Sequence, residues 1–240
     1  MNDNTPPPLE PPPIKPGRYQ YAPMPGKKDP LAVLETLLKY PGRIIWEISN
    51  GRARPVVMAL ALIMVFSLAI YGAVVGSLTG GSQVWIAPVK IAFGSLLSLL
   101  ICLPSLYVFL CLSGSDSNLR QVAGMLLASV CLTSLLLISF APVAWVFSQS
   151  TDSIALMGFL HLLFWIVAVW FGMSLLKRCI QLVSQSAKGN LGVWMILYIV
   201  VSLQMMTSLR PIIGHATTFL PDQKQFFLAH WSECLSKSVK

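Results

Sequence analysis

The side chains of this chain that could do chemistry are ionisable or amide groups set in or beside long apolar runs. Carrying such groups into hydrocarbon is costly unless they are paired, hydrated or used. Lys90 follows Trp85 in one run, His161 lies in a later one, and Gln204 and Arg210 stand in and just beyond the last. Asp152 falls in the connection ahead of His161. If each run is a membrane-crossing helix, these five groups reach one level near the outer face, where Asp152 can balance Lys90 or Arg210. The expected role of this polar layer is to fasten the helices or to mark a partner-facing notch. The plainer alternative for Lys90 is a long side chain snorkelling to the interface. No Asp or Glu lies inside a run, which argues against a proton or ion path.

Signatures of catalysis are missing. There is no HExxH, Gly-rich phosphate loop or Gly-x-Ser-x-Gly, so metal hydrolysis, nucleotide chemistry and serine nucleophilic catalysis lack their usual frames. His161, His215 and His230 are too scattered for a ligand set, and Ser113-Gly-Ser115 has no histidine nearby. Cys102, Cys111 and Cys131 sit in apolar runs, Cys179 follows Lys177-Arg178, and Cys234 is in the tail. None makes a CxxC pair, so they read as small apolar fillers. In a eukaryotic source Cys179 would be a palmitoylation candidate. The expectation is a non-enzyme with no catalytic residue, no metal and no cofactor.

The elements that must position these groups follow from composition. The chain is 55% hydrophobic and only 11% charged, where soluble domains carry about a quarter charged residues. That predicts an all-α polytopic membrane bundle. About twenty apolar residues suffice to cross a core roughly 30 Å thick, and five spans are expected: 55–77, 86–112, 121–147, 155–176 and 191–209. Nearly half of the Lys and Arg precede residue 55. Basic residues collect on the cytoplasmic side, so the N-terminus is expected inside and, after an odd number of spans, the C-terminus outside. The charge thus serves topology and lipid headgroups, with no nucleic acid as partner. The first span is expected to act as an uncleaved signal-anchor. Gly72-Ala-Val-Val-Gly76 is a small-xxx-small step that allows close helix approach, either within the chain or between two copies. Pro104 and Pro142 are expected to kink their spans.

Residues 1–28 are Pro-rich, with Pro6-Pro-Pro and Pro11-Pro-Pro, and predict an extended, solvated cytoplasmic tether. A docking peptide for an aromatic groove is the alternative. Over 29–50, Asp29-Pro30 can start one short helix, with Leu31, Leu34, Leu37 and Leu38 on one face, and Pro41-Gly42 separates it from a second carrying Ile44, Ile45, Trp46 and Ile48. Both are expected to lie on the cytoplasmic leaflet with Trp46 at headgroup depth. Beyond residue 210, the spacing of Phe227, Trp231 and Leu235 predicts an exterior amphipathic helix. Phe226 and Trp231 are expected at the outer interface or on a partner.

This layout resembles the Yip family of Rab/Ypt-interacting membrane proteins and their bacterial relatives. The local match runs from Asp29-Pro-Leu through Tyr40-Pro41-Gly42 to Ile48-Ser-Asn-Gly51; the eukaryotic Asp-Leu-Tyr-Gly-Pro signature is absent. The resemblance implies a five-span helical adaptor and transfers no functional residue. The resulting expectation is a non-catalytic scaffold or accessory subunit of a bacterial inner membrane, partnered by lipids and by other subunits or further copies of itself. A transporter or channel component built on the outer polar layer is the alternative. A lipid-acting enzyme would need a bilayer-facing cavity with convergent polar groups.

Overall fold

The computed structural model describes residues 21–51, 53–77, 83–150, 154–183 and 191–208. Regular structure among them is α-helical: α1 (Pro30–Lys39), α2 (Pro41–Ser49), α3 (Ala53–Ser77), α4 (Gln83–Leu112), α5 (Leu119–Ser150), α6 (Ile154–Val183) and α7 (Leu191–Ser208). The helices α3 to α6 are each long and apolar enough to cross a membrane, while α7 is a shorter apolar helix.

Pro30 and Pro41 open α1 and α2, where a missing N–H costs nothing because that position has no intrahelical acceptor. Asp29 stands at the expected cap position, but its side chain makes no capping bond; its carbonyl instead accepts the Val33 N–H at 2.9 Å. The inward face of α1 differs from the one the leucines suggest. Val33 and Leu37 are buried against the bundle, whereas Leu31 and Leu38 are exposed. Apolar residues occupy both sides of α1, so packing on α3 and not the leucine count selects the face. In α2, Ile44, Ile45 and Ile48 enter the core, and Ile48 seats against Gly124 of α5, where a Cβ would come within 2.6 Å of its Cγ2.

The long helices extend past their hydropathic edges. The clearest case is α6, which continues from the expected end at 176 through Lys177 and Arg178 to Val183. Hydropathy marks where hydrocarbon ends; the hydrogen-bonded helix continues into polar surroundings at no such boundary. Helix α4 likewise runs unbroken through Pro88 and Pro104, and α5 through Pro142.

The most enclosed helix is α5, flanked by α3 and α6, with α4 packed on α3 and α7 laid along α4. Small residues set the close approaches. A Cβ on Gly72 of α3 would lie 2.6 Å from Pro88 Cα of α4, and one on Gly172 of α6 would lie 2.8 Å from Ser129 O and press on Thr133 Oγ1 of α5. Outward from these seams the long helices present apolar side chains, among them Phe66, Phe93, Leu100, Trp145, Ile166 and Ile196. Gln121 at the start of α5 donates to the Ser49 carbonyl of α2 at 3.4 Å, so α1 and α2 close one end of the bundle.

Candidate functional site

The antiparallel run of α3 to α6 brings Lys90 and His161 to the end of the bundle opposite α2. Both are 2% exposed, so both side chains enter the interior. A lysine on the lipid-facing side of α4 would have been free to snorkel; Lys90 lies on the other side.

Lys90 lines a cavity of about 30 Å³ where α3 to α7 converge. Leu68, Val130, Leu137 and Val169 supply its apolar wall, and Ser98, Thr133, Ser134, Tyr198 and Ser202 its hydroxyls. The volume suits about one or two waters. Ser98 Oγ donates to Gly94 O at 2.9 Å, Thr133 Oγ1 to Ser129 O at 3.0 Å and Ser134 Oγ to Cys131 O at 2.7 Å. With their protons directed to their own helices, these hydroxyls offer lone pairs to the cavity, and lone pairs are what an ammonium group or a bridging water needs.

His161 lies one helical turn nearer the start of α6 than Trp165, a cavity-lining residue on the same face. Its Nδ1 is 2.8 Å from the hydroxyl of Tyr71 on α3. The rings meet edge to face, with centroids 5.8 Å apart. Its Nε2 is buried without a hydrogen-bond partner among the described residues, as is Gln204 Oε1 on α7. Lys90 and His161 are thus both interior, and His161 does not line the Lys90 cavity. Asp152 and Arg210, the other two members of the expected layer, lie outside the described residues, as do Phe226, Phe227 and Trp231.

The remaining sequence candidates among the described residues are Gly72, Gly76 and Trp46. Gly72 meets Pro88 of its own chain, so this step serves packing between α3 and α4; Gly76 is buried one turn further along. Trp46 is half-buried, and its carbonyl accepts the Asn50 backbone N–H at 3.0 Å and Nδ2 at 2.8 Å.

Two polar contacts escaped the sequence reading. Glu47 of α2, which nothing in the sequence singles out, is 1% exposed. Its Oε1 accepts the Met24 N–H at 3.1 Å, and its Oε2 pairs with Lys28 Nζ. Trp194 of α7 is fully buried and donates through Nε1 to Ser105 Oγ of α4 at 3.0 Å. The spacing of Lys90, Ser98 and Ser105 along one apolar helix was the available signal for the second contact. Nothing in the spacing around Glu47 marks the first, because its partners come from an irregular segment. On the exposed side of α1, Lys39 Nζ donates to Glu35 Oε1 at 2.7 Å. That hydrogen bond, helped by the opposite charges, holds the Glu35 carboxyl below its usual range and Lys39 above its own.

Among the described residues no three His, Cys, Asp or Glu side chains gather as a metal ion would require. No family model matches the chain, and neither does any curated protein or solved structure.

Proposed function

We propose that this protein is a five-span integral membrane scaffold or accessory subunit, seated in a bacterial inner membrane with its N-terminus in the cytoplasm. The supporting observation is a tightly seamed bundle, ringed by apolar side chains, whose interior gap at Lys90 is about 30 Å³. A gap of that size accommodates water and not an organic substrate. Helix α7 serves as the fifth span: eighteen residues reach about 27 Å, close to the hydrocarbon thickness. Helices α1 and α2 lie along the cytoplasmic leaflet, a placement favoured by the outward-facing Tyr21, Leu31 and Leu38. The lead-in that resembles Yip proteins then serves as a cytoplasmic partner surface, and the tail beyond residue 210 as an exterior one.

Purification in a gentle detergent followed by mass spectrometry of co-purifying chains tests this reading. A stoichiometric second polypeptide is the expected result; a solitary homo-oligomer that conducts a solute would sink it. The Lys90 cavity favours a second reading, a transport component. In that case Lys90→Ala abolishes flux in reconstituted vesicles while leaving assembly intact.

A further inference from the structure

One face of α6 changes character along its length. Leu163, Ile166 and Trp170 are exposed, at the spacing that keeps residues on one side of a helix. The same face continues into Ser174, Lys177, Arg178 and Gln181, of which the last three are exposed. Neighbouring α7 packs on α4 and barely meets α6, so among the described residues it does not cover this face.

The dimensions fit one leaflet. From Ile154 to Lys177 the helix is about 34 Å long, against a hydrocarbon core of about 30 Å. With Ile154 at one boundary, Lys177 and Arg178 reach the phosphate level of the opposite leaflet. From Ile166 to Lys177 is about 16 Å, the depth of a single leaflet. Trp170, 72% exposed, lies between the two levels and offers a flat apolar surface to an acyl chain.

We infer that this face of α6 is a binding site for one anionic phospholipid, its phosphate held by Lys177 and Arg178 and an acyl chain lying over Trp170 and Ile166. The guanidinium gives two parallel donors to phosphate oxygens and the ammonium a point charge. Gln181 supplies a neutral donor beside them. The inference rests on α6 crossing the bilayer, as proposed above.

The test uses the full chain in a mild detergent, with native mass spectrometry during titration with phosphatidylglycerol or phosphatidylcholine. Wild type should retain one phosphatidylglycerol with about thirtyfold preference, the scale expected of two basic residues at a membrane surface. Lys177→Gln with Arg178→Gln should remove that preference, while Lys39→Gln with Arg120→Gln, which changes charge at the same end of the bundle, should leave it intact. Equal loss in both pairs would replace the site with diffuse surface charge. Displacement of the lipid by millimolar inorganic phosphate would show that the phosphate alone is recognised, and would also overturn the site. A protein that stays dispersed without detergent would refute the span itself. One that needs detergent yet shows no lipid preference would refute only the lipid site.

Discussion

Glu47 is a carboxylate almost fully withdrawn from solvent, and its two partners are not equivalent. Lys28 is 19% exposed and Glu47 1%, so only the lysine can turn to water if the pair is broken. Removing the lysine strands a buried charge, at a cost of about 3–5 kcal/mol. Glu47→Gln keeps an acceptor for the Met24 N–H and frees Lys28, at a cost of about 1 kcal/mol. Lys28→Met should therefore destabilise the protein more than Glu47→Gln, read as unfolding free energy in mixed micelles; the reverse order would mean that the pair is solvated. At the other end of the bundle, Tyr71→Phe removes the hydroxyl facing His161 Nδ1 and should cost about 1–2 kcal/mol. A double-mutant cycle with His161→Leu should return a coupling of about 1 kcal/mol. A coupling near zero would show that the two rings merely touch. At this scale Lys90 and His161 were legible, because a polar residue in an apolar run announces itself. Tyr71 was not: a tyrosine near a span end reads as an interface residue until the partner helix is known.

Helix contacts divide into those limited by backbone and those limited by side chain. Gly72 faces the Pro88 backbone and Gly124 faces the Ile48 side chain. Gly72→Ala should cost about 1–3 kcal/mol through forced separation of α3 and α4, and no truncation of a neighbouring side chain should restore it. Gly124→Ala should also destabilise, but Ile48→Ala in the same chain should recover most of the loss. Thermal aggregation midpoints of these variants in detergent would decide between the two patterns. Existence and rough extent of α3 to α7 were readable from hydropathy. The inward faces were not, as α1 demonstrates: Leu31 and Leu38 look outward while Val33 and Leu37 are buried. Mean hydropathy is blind to direction, and a helix that is apolar nearly all round has no single face to announce.

For the molecule as a whole, the arrangement of charge supports the proposed threading. Among the described residues, Arg43, Arg54, Arg120, Lys177 and Arg178 belong to the α2 end of the bundle, and Lys90 stands near the other. Cysteines give the test. Cys102, Cys131 and Cys179 are buried and Cys111 is exposed at the C-terminal end of α4. A membrane-impermeant thiol reagent applied to intact cells should label Cys234 alone, and Cys234→Ser should abolish labelling until the membrane is permeabilised. Labelling of Cys111 from outside would invert the threading and remove both proposed partner surfaces.

The sequence by itself determined that the chain is helical and apolar, and where the long helices run, because burial of backbone in hydrocarbon permits little else. It also located the ionisable side chains within those helices and the crowding of Lys and Arg ahead of residue 55. Only the tertiary structure decided which helix lies at the centre, that Lys90 points inward to a hydroxyl-lined gap, that Gly72 is spent inside the chain, and that Glu47 is clasped by an irregular segment. These depend on which faces meet, and in a protein whose helices are apolar on nearly every side, that choice is made by the fit of small residues against neighbouring backbones.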